Sequence, residues 1–148
     1  MLSRGGLYAL QATLYLARQA PDTRISAARM AEALEVPPEY LAKVLQRLGQ
    51  DGILESTRGA YGGYQLVRSP SELTVERVVR PFEEVEPPKV CLLGGRCDSA
   101  APCGAHLRRL EWNEARLRIL ASTTLADLLA GSSRSPDAIA AALATNDS

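Results

Sequence analysis

The chain has 148 residues, enough for one ordinary domain or for a small domain with an appendage. It is 46% hydrophobic but only 5% aromatic, so an aliphatic core suffices and no staple is needed to explain folding. Seventeen basic residues balance seventeen acidic ones, which excludes binding of a polyanion by bulk charge alone. Residues 1–80 hold ten Lys/Arg against eight Asp/Glu, or +2, and residues 81–148 hold seven against nine, or −2. Any contact with nucleic acid must therefore depend on local placement.

The opening MLSRGGLYALQATLYLARQA has no apolar run long enough for a membrane span and no small-residue cleavage site behind a hydrophobic stretch. The expectation is a cytoplasmic protein with no membrane partner. This segment reads as an amphipathic helix from about Gly6 to Gln19, with Leu7, Leu10, Leu14 and Ala17 at helical spacing. Ala20-Pro21-Asp22 ends it. Ser26 is placed to cap a second helix, Ala27 to Leu34, with Met30, Ala31 and Leu34 turned inward. Pro38 suits the first turn of a third helix, which reaches about Gly49. Its buried stripe is Leu41, Val44, Leu45 and Leu48, and Glu39, Tyr40, Ala42, Lys43, Gln46 and Arg47 face away.

Beyond Gly52, Ile53–Thr57 and Tyr64–Val67 alternate as strands around the turn Arg58–Gly63, giving a β-hairpin with a glycine-rich tip. Thr74 caps a helix from Val75 to about Glu84, with Pro81 placed to kink or end it. Val85 to Ala105 is rich in Pro, Gly and Cys and reads as an irregular loop; long loops of this kind are functional or disordered. A strong helix follows from about Ala105 to Ala121. Leu107, Leu110, Leu117, Leu120 and Ala121 share one face, and Trp112, Ala115 and Ile119 another. Two apolar faces imply two contacts, one with its own domain and one with a second subunit. A short helix capped by Thr124 ends near Ala130, and an alanine-rich tail closes the chain.

Three short helices followed by a hairpin is the order of a winged helix-turn-helix, whose third helix enters the major groove while the wing reaches the flanking backbone or minor groove. On that reading Glu39, Tyr40, Lys43, Gln46 and Arg47 meet bases and phosphates, with Arg58 and Tyr61 on the wing. An Arg among glycines at a wing tip suits a narrow minor groove. Polar residues opposite a leucine stripe are equally what a solvated face requires.

The sharpest chemical feature is Cys91, Cys97, Cys103 and His106, spaced C-x5-C-x5-C-x2-H and holding all the cysteines and the single histidine of the chain. Three thiols cannot pair completely as disulfides, and thiolates with imidazole suit soft metals. An iron–sulfur cluster fits, whether [2Fe–2S] or [4Fe–4S]. A Cys3His zinc site is chemically reasonable, although the close C-x2-4-C spacing usual for zinc is absent. Redox-active thiols favoured by Arg96, or cysteines acting as small hydrophobes, are the other readings. No nucleophile–base pair or phosphate loop points to an enzyme.

These residues resemble the IscR, NsrR and RirA group of bacterial winged-helix regulators from about Met1 to Ala130. The resemblance is carried by Tyr8-Ala9, by Tyr40–Leu45, by the wing Arg58-Gly59-Ala60-Tyr61-Gly62-Gly63-Tyr64-Gln65-Leu66, by the spaced cysteines and by Thr124–Leu128. It implies a homodimer joined through the long helix, binding to near-palindromic promoter DNA, and a cluster that tunes that binding. A histidine just after the third cysteine resembles the IscR-like [2Fe–2S] branch, so Cys91, Cys97, Cys103 and His106 are the implied ligands. NsrR-like members use an acidic residue in the first helix, where this chain has Leu7. One departure is Ala42, where IscR-like proteins carry an acidic residue that helps to select the operator.

The expected architecture is mainly α with a small β-hairpin: a winged helix-turn-helix domain plus a long dimerisation helix. The expected division is a DNA-binding domain over 1–80, a cluster-binding loop region over 81–106, the dimerisation helix and a short C-terminal helix over 107–130, and a flexible tail over 131–148. The implied function is a cluster-dependent transcription regulator that senses redox state, nitric oxide or iron status. The rivals are a zinc-bound or thiol-based regulator and a cluster carrier without a DNA-binding role.

Overall fold

A computed structural model describes residues 2–83 and 100–131. Its elements are α1 (Arg4–Ala17), α2 (Ala27–Leu34), α3 (Pro38–Gln50), β1 (Leu54–Thr57), β2 (Gly63–Leu66), α4 (Val75–Val79), α5 (Gly104–Ser122) and α6 (Leu125–Gly131), with a 3-10 turn at Arg80–Phe82 between α4 and α5. The mainly helical architecture with one hairpin is the one the sequence pattern predicts.

Capping sets several of the starts. The hydroxyls of Ser3, Ser26 and Thr74 accept from the N–H groups of Gly6, Arg29 and Arg77 at the heads of α1, α2 and α4, satisfying donors that a helix start otherwise leaves open. Thr124 and Asp127 form a reciprocal box at α6: Thr124 N–H donates to Asp127 Oδ2 (2.8 Å), and Asp127 N–H donates to Thr124 Oγ1 (3.1 Å). The Thr124 N–H and hydroxyl, both donating to Asp127 Oδ2, hold that carboxyl below its ordinary value. The helix expected to run from Val75 to Glu84 is α only as far as Val79. Pro81 has no N–H to continue the ladder, and the chain tightens into the 3-10 turn.

The core gathers Met30, Leu41, Leu45, Leu48, Ile53 and Leu125, all fully buried, from α2, α3, the strand entry and α6. The stripe expected on α3 is the stripe found. On α1 the outcome differs. Leu7, Leu10, Leu14 and Ala17 are only half-buried, and the buried line is Gly5, Gly6, Ala9, Ala12, Thr13 and Leu16. Small residues let α1 come close to α4, the 3-10 turn and α3, and the longer leucines flank that contact.

The hairpin pairs antiparallel, with Leu54 opposite Leu66 and Thr57 opposite Gly63. Ile25 adds a bridge on its outer side: Ile25 N–H donates to Tyr64 O (3.0 Å), and Tyr64 N–H donates to Ile25 O (2.8 Å). Gly63 makes this possible. Its φ is +147°, and a Cβ there would lie 2.6 Å from the Ile25 carbonyl carbon. Behind the hairpin, Val75 N–H donates to Thr123 O (2.8 Å) and Leu125 N–H to Leu73 O (2.9 Å), which fastens the end of α5 and the start of α6 to the body.

The long helix corrects a second expectation. Neither of its apolar faces is buried within the protomer: Leu107, Leu110, Trp112, Leu117 and Ile119 are all exposed. The side that leans on α4 instead carries buried Arg109 with half-buried Asn113, Arg116 and Leu120. That line follows 4-3-4 spacing but is mostly polar, so hydrophobicity did not reveal it.

Gly63→Ala is expected to cost about 1–3 kcal/mol through backbone strain. Gly49→Ala, in ordinary helical backbone whose nearest outside atom is Leu54 O at 3.9 Å, is expected to gain about 0.5–1 kcal/mol. Urea unfolding at fixed protein concentration checks both, and equal effects would contradict the assigned role of Gly63.

Candidate DNA-reading face and metal-ligand segment

Helix α3 lies on the core through Leu41, Val44, Leu45 and Leu48, which forces the intervening side chains outward. Glu39, Tyr40, Lys43, Gln46 and Arg47 are all exposed, as is Ala42. Two of them already have protein partners. The Tyr40 ring meets Tyr8 of α1 edge to face, with centroids 5.2 Å apart and planes at 80°. Such a pair contributes about 0.5–1.5 kcal/mol beyond its buried area, so Tyr40 joins α3 to α1 besides facing solvent. Arg47 Nε lies 3.0 Å from Asp51 Oδ2. An exposed pair of this kind is worth about 0–1 kcal/mol, little enough for a phosphate to displace the aspartate.

The wing projects beyond α3. Arg58 is exposed and Tyr61, at 96% exposure, touches almost nothing. Its base carries a polar network that sequence reasoning missed. Arg24, in the segment before α2, hydrogen-bonds Thr57 and lies 3.6 Å from Glu55 Oε1; Gln65 also donates to Glu55 across the strands. Arg24 and Thr57 are 33 residues apart, and no local pattern signals the pairing. Arg24 thus holds the wing root without being part of its tip.

The four metal-ligand candidates divide. Cys91 and Cys97 lie outside the described residues. Cys103 is exposed and occupies the N-cap of α5, and His106 is half-buried on its first turn. A spacing of three places these two as neighbours on the helix. Among the described residues no three His, Cys, Asp or Glu side chains gather as a metal site.

On the other side of residues 84–99 stands Glu83. Its Oε1 accepts from Ser3 N–H (2.8 Å), and its Oε2 lies 3.8 Å from Arg116 Nη1 of α5. Ser3 Oγ donates to Phe82 O at 3.0 Å. Motif reading assigned Glu83, Ser3 and Arg116 no role, because their contact spans most of the chain.

A helical body with a hairpin wing and an outward polar helix defines a winged-helix regulator of transcription. Residues 2–131 match the family described as "Rrf2: Iron-dependent Transcriptional regulator", and the chain belongs to the Rrf2 family of DNA-binding transcription regulators. It is similar to the HTH-type transcriptional regulator NsrR of Geobacillus kaustophilus, with 33% identity over 124 residues, covering 82% of this chain and 84% of that one. Among solved structures it resembles CymR, the global cysteine regulator of B. subtilis, with TM-score 0.74, 28% identity and coverage of 89% and 98%. T. potens IscR superposes with TM-score 0.71 and 25% identity over 91% of this chain and 93% of that one. These relatives are regulators rather than enzymes. No described helix is long and apolar enough to cross a membrane.

Arg24→Ala is expected to speed amide hydrogen exchange at 57–63 while changing global stability by no more than about 1 kcal/mol, since its pairs are exposed. Unchanged exchange at the wing would show that Ile25 alone holds it.

Proposed function

We propose that this regulator binds promoter DNA as a homodimer and that Cys91, Cys97, Cys103 and His106 hold a [2Fe–2S] cluster controlling that binding. The observation that carries the reading is the placement of Cys103 and His106 one helical turn apart at the head of α5. A thiol at a helix N-terminus is biased toward the thiolate that metals bind, and the imidazole is a chemically compatible neighbour. The iron-dependent family description supports the same donor chemistry. A bound cluster supplies one-electron redox chemistry, and a histidine ligand makes it more oxidising than an all-thiolate set. A cytoplasmic setting, which keeps thiols reduced, belongs to this proposal.

DNA is read by Glu39, Tyr40, Lys43, Gln46 and Arg47 of α3, with Arg58 and Tyr61 of the wing. Their exposure on one side of the winged helix supports the assignment. The occupant proposed for α5 is a second copy of the chain. Leu107, Leu110, Trp112, Leu117 and Ile119 stay exposed over about 18 Å of α5. A dimer of this kind presents two recognition helices to successive turns of one DNA groove.

The ligand set is tested by anaerobic purification with visible spectra and iron and sulfide assays. Brown protein with equal iron and sulfide is expected, with His106→Ala altering the spectrum. Colourless protein carrying zinc, or an unchanged spectrum in the variant, counts against the assignment. Lys43→Ala is expected to weaken DNA binding and to reduce the salt slope by about 1; an unchanged slope removes Lys43 from the phosphate contacts. Ile119→Glu is expected to shift sedimentation from dimer to monomer, and an unaffected dimer would place the interface elsewhere.

A further inference from the structure

Glu39, Ala42, Lys43 and Gln46 follow one another along α3 at helical spacing, and all four are exposed. Glu39 stands in the first turn of the helix. Lys43 comes four residues later, the order that favours an ion pair along a helix. No such pair forms, and among the described residues Glu39 makes neither an ion pair nor a side-chain hydrogen bond. Nearby acids are engaged. Asp51, at the other end of α3, lies 3.0 Å from Arg47 Nε, and Glu55 at the wing root takes Arg24 and Gln65. Glu39 is instead left open on the face that looks toward DNA.

An open carboxylate there is costly against a polyanion, because salt screens poorly at contact distance. The cost is offset only where the acid meets a hydrogen-bond donor, since an ionised carboxylate can only accept. In the major groove, guanine and thymine edges offer oxygen or nitrogen acceptors. Adenine sets its N7 acceptor beside its amino group. Cytosine presents its N4 amino donor without an acceptor on the same base edge. The first residues of a recognition helix are the ones that meet base edges, and Glu39 is among them.

We infer that Glu39 is a specificity-determining residue, whose carboxylate accepts from the N4 amino group of a cytosine in each half-site. It lowers affinity for every other sequence and recovers that loss only on the matching base. The inference rests on the reading that α3 enters the major groove. A structural alternative has a different signature. The helix dipole favours an acid in the first turn, and an acid kept for that reason would leave base preference untouched.

The test selects bound duplexes from a randomised DNA pool with the full chain, as wild type, Glu39→Ala, Glu39→Gln and Asp51→Asn, all prepared alike. The wild type is expected to enrich one fixed cytosine per half-site, and replacing it is expected to weaken binding about 5–150-fold, the span of one good base contact. Glu39→Ala is expected to lose that preference, keep the rest of the motif and bind random duplex more tightly. Glutamine pairs with adenine N6 and N7, so Glu39→Gln is expected to exchange the cytosine for adenine. Asp51→Asn removes an equal charge from the same helix and is expected to leave the cytosine in place. Wild-type base preferences in both Glu39 variants would make Glu39 merely structural and overturn the inference, as would loss of the cytosine in Asp51→Asn. A wild-type pool with no enriched motif would sink the groove-reading assignment of α3 itself, a separate and recognisable failure.

Discussion

The first turn of α1 leaves N–H groups without helical acceptors, and a carboxylate 80 residues away answers one of them. Glu83 reaches Ser3 because Gly5 and Gly6 have no side chains in the way. A negative group beside a helix N-terminus is favoured by the helix dipole, by about 0.3–1 kcal/mol at exposed sites and more when partly buried. The arrangement also fixes direction. The chain leaving the 3-10 turn must depart from the head of α1, and α5 must return near enough for Arg116 to share the same carboxylate.

From α1 the constraint passes to α3. The small residues Ala9 and Ala12 lie fully buried, so α1 seats closely on its neighbours and small displacements cannot be absorbed by loose packing. The wing has a different anchor. It is clipped to Ile25 by two backbone hydrogen bonds and braced at its root by Arg24. Helix α1 also packs on β2, and α3 packs on β1, so the hairpin is tied to the helices as well as to the segment before α2.

Local chemistry made much of this legible. Ser26, Pro38 and the stripe Leu41, Val44, Leu45 and Leu48 are strong signals, and α2, α3 and the hairpin emerged within a residue or so of their expected ends. Pro81 marked the end of regular helix. The reading of α1 was weaker because hydrophobicity favours leucines, whereas close approach favours Gly and Ala. The reading of α5 failed on its inner side for the opposite reason: Arg109, Asn113 and Arg116 face the body, and polar side chains do not announce burial. Cys103 and His106 were legible as a pair at a helix head. Glu83, Arg24 and Tyr8 were not, because each acts through a partner distant in sequence.

Electrostatics explains why geometry has to matter so much. The chain is neutral overall, and several charges near the reading face are already matched, Arg47 by Asp51 and Arg24 by Glu55. Lys43 and Arg58 remain as exposed cations there. Because phosphate neutralisation supplies most non-specific affinity, one protomer of this kind holds DNA weakly. In the proposed homodimer, two weak half-sites reinforce each other only when their spacing allows both to engage; otherwise the gain from linkage is lost. A strongly basic protein would tolerate a misplaced recognition helix, since charge alone would keep it bound. A neutral one would not. Weak local attraction therefore suits a regulator controlled by placement.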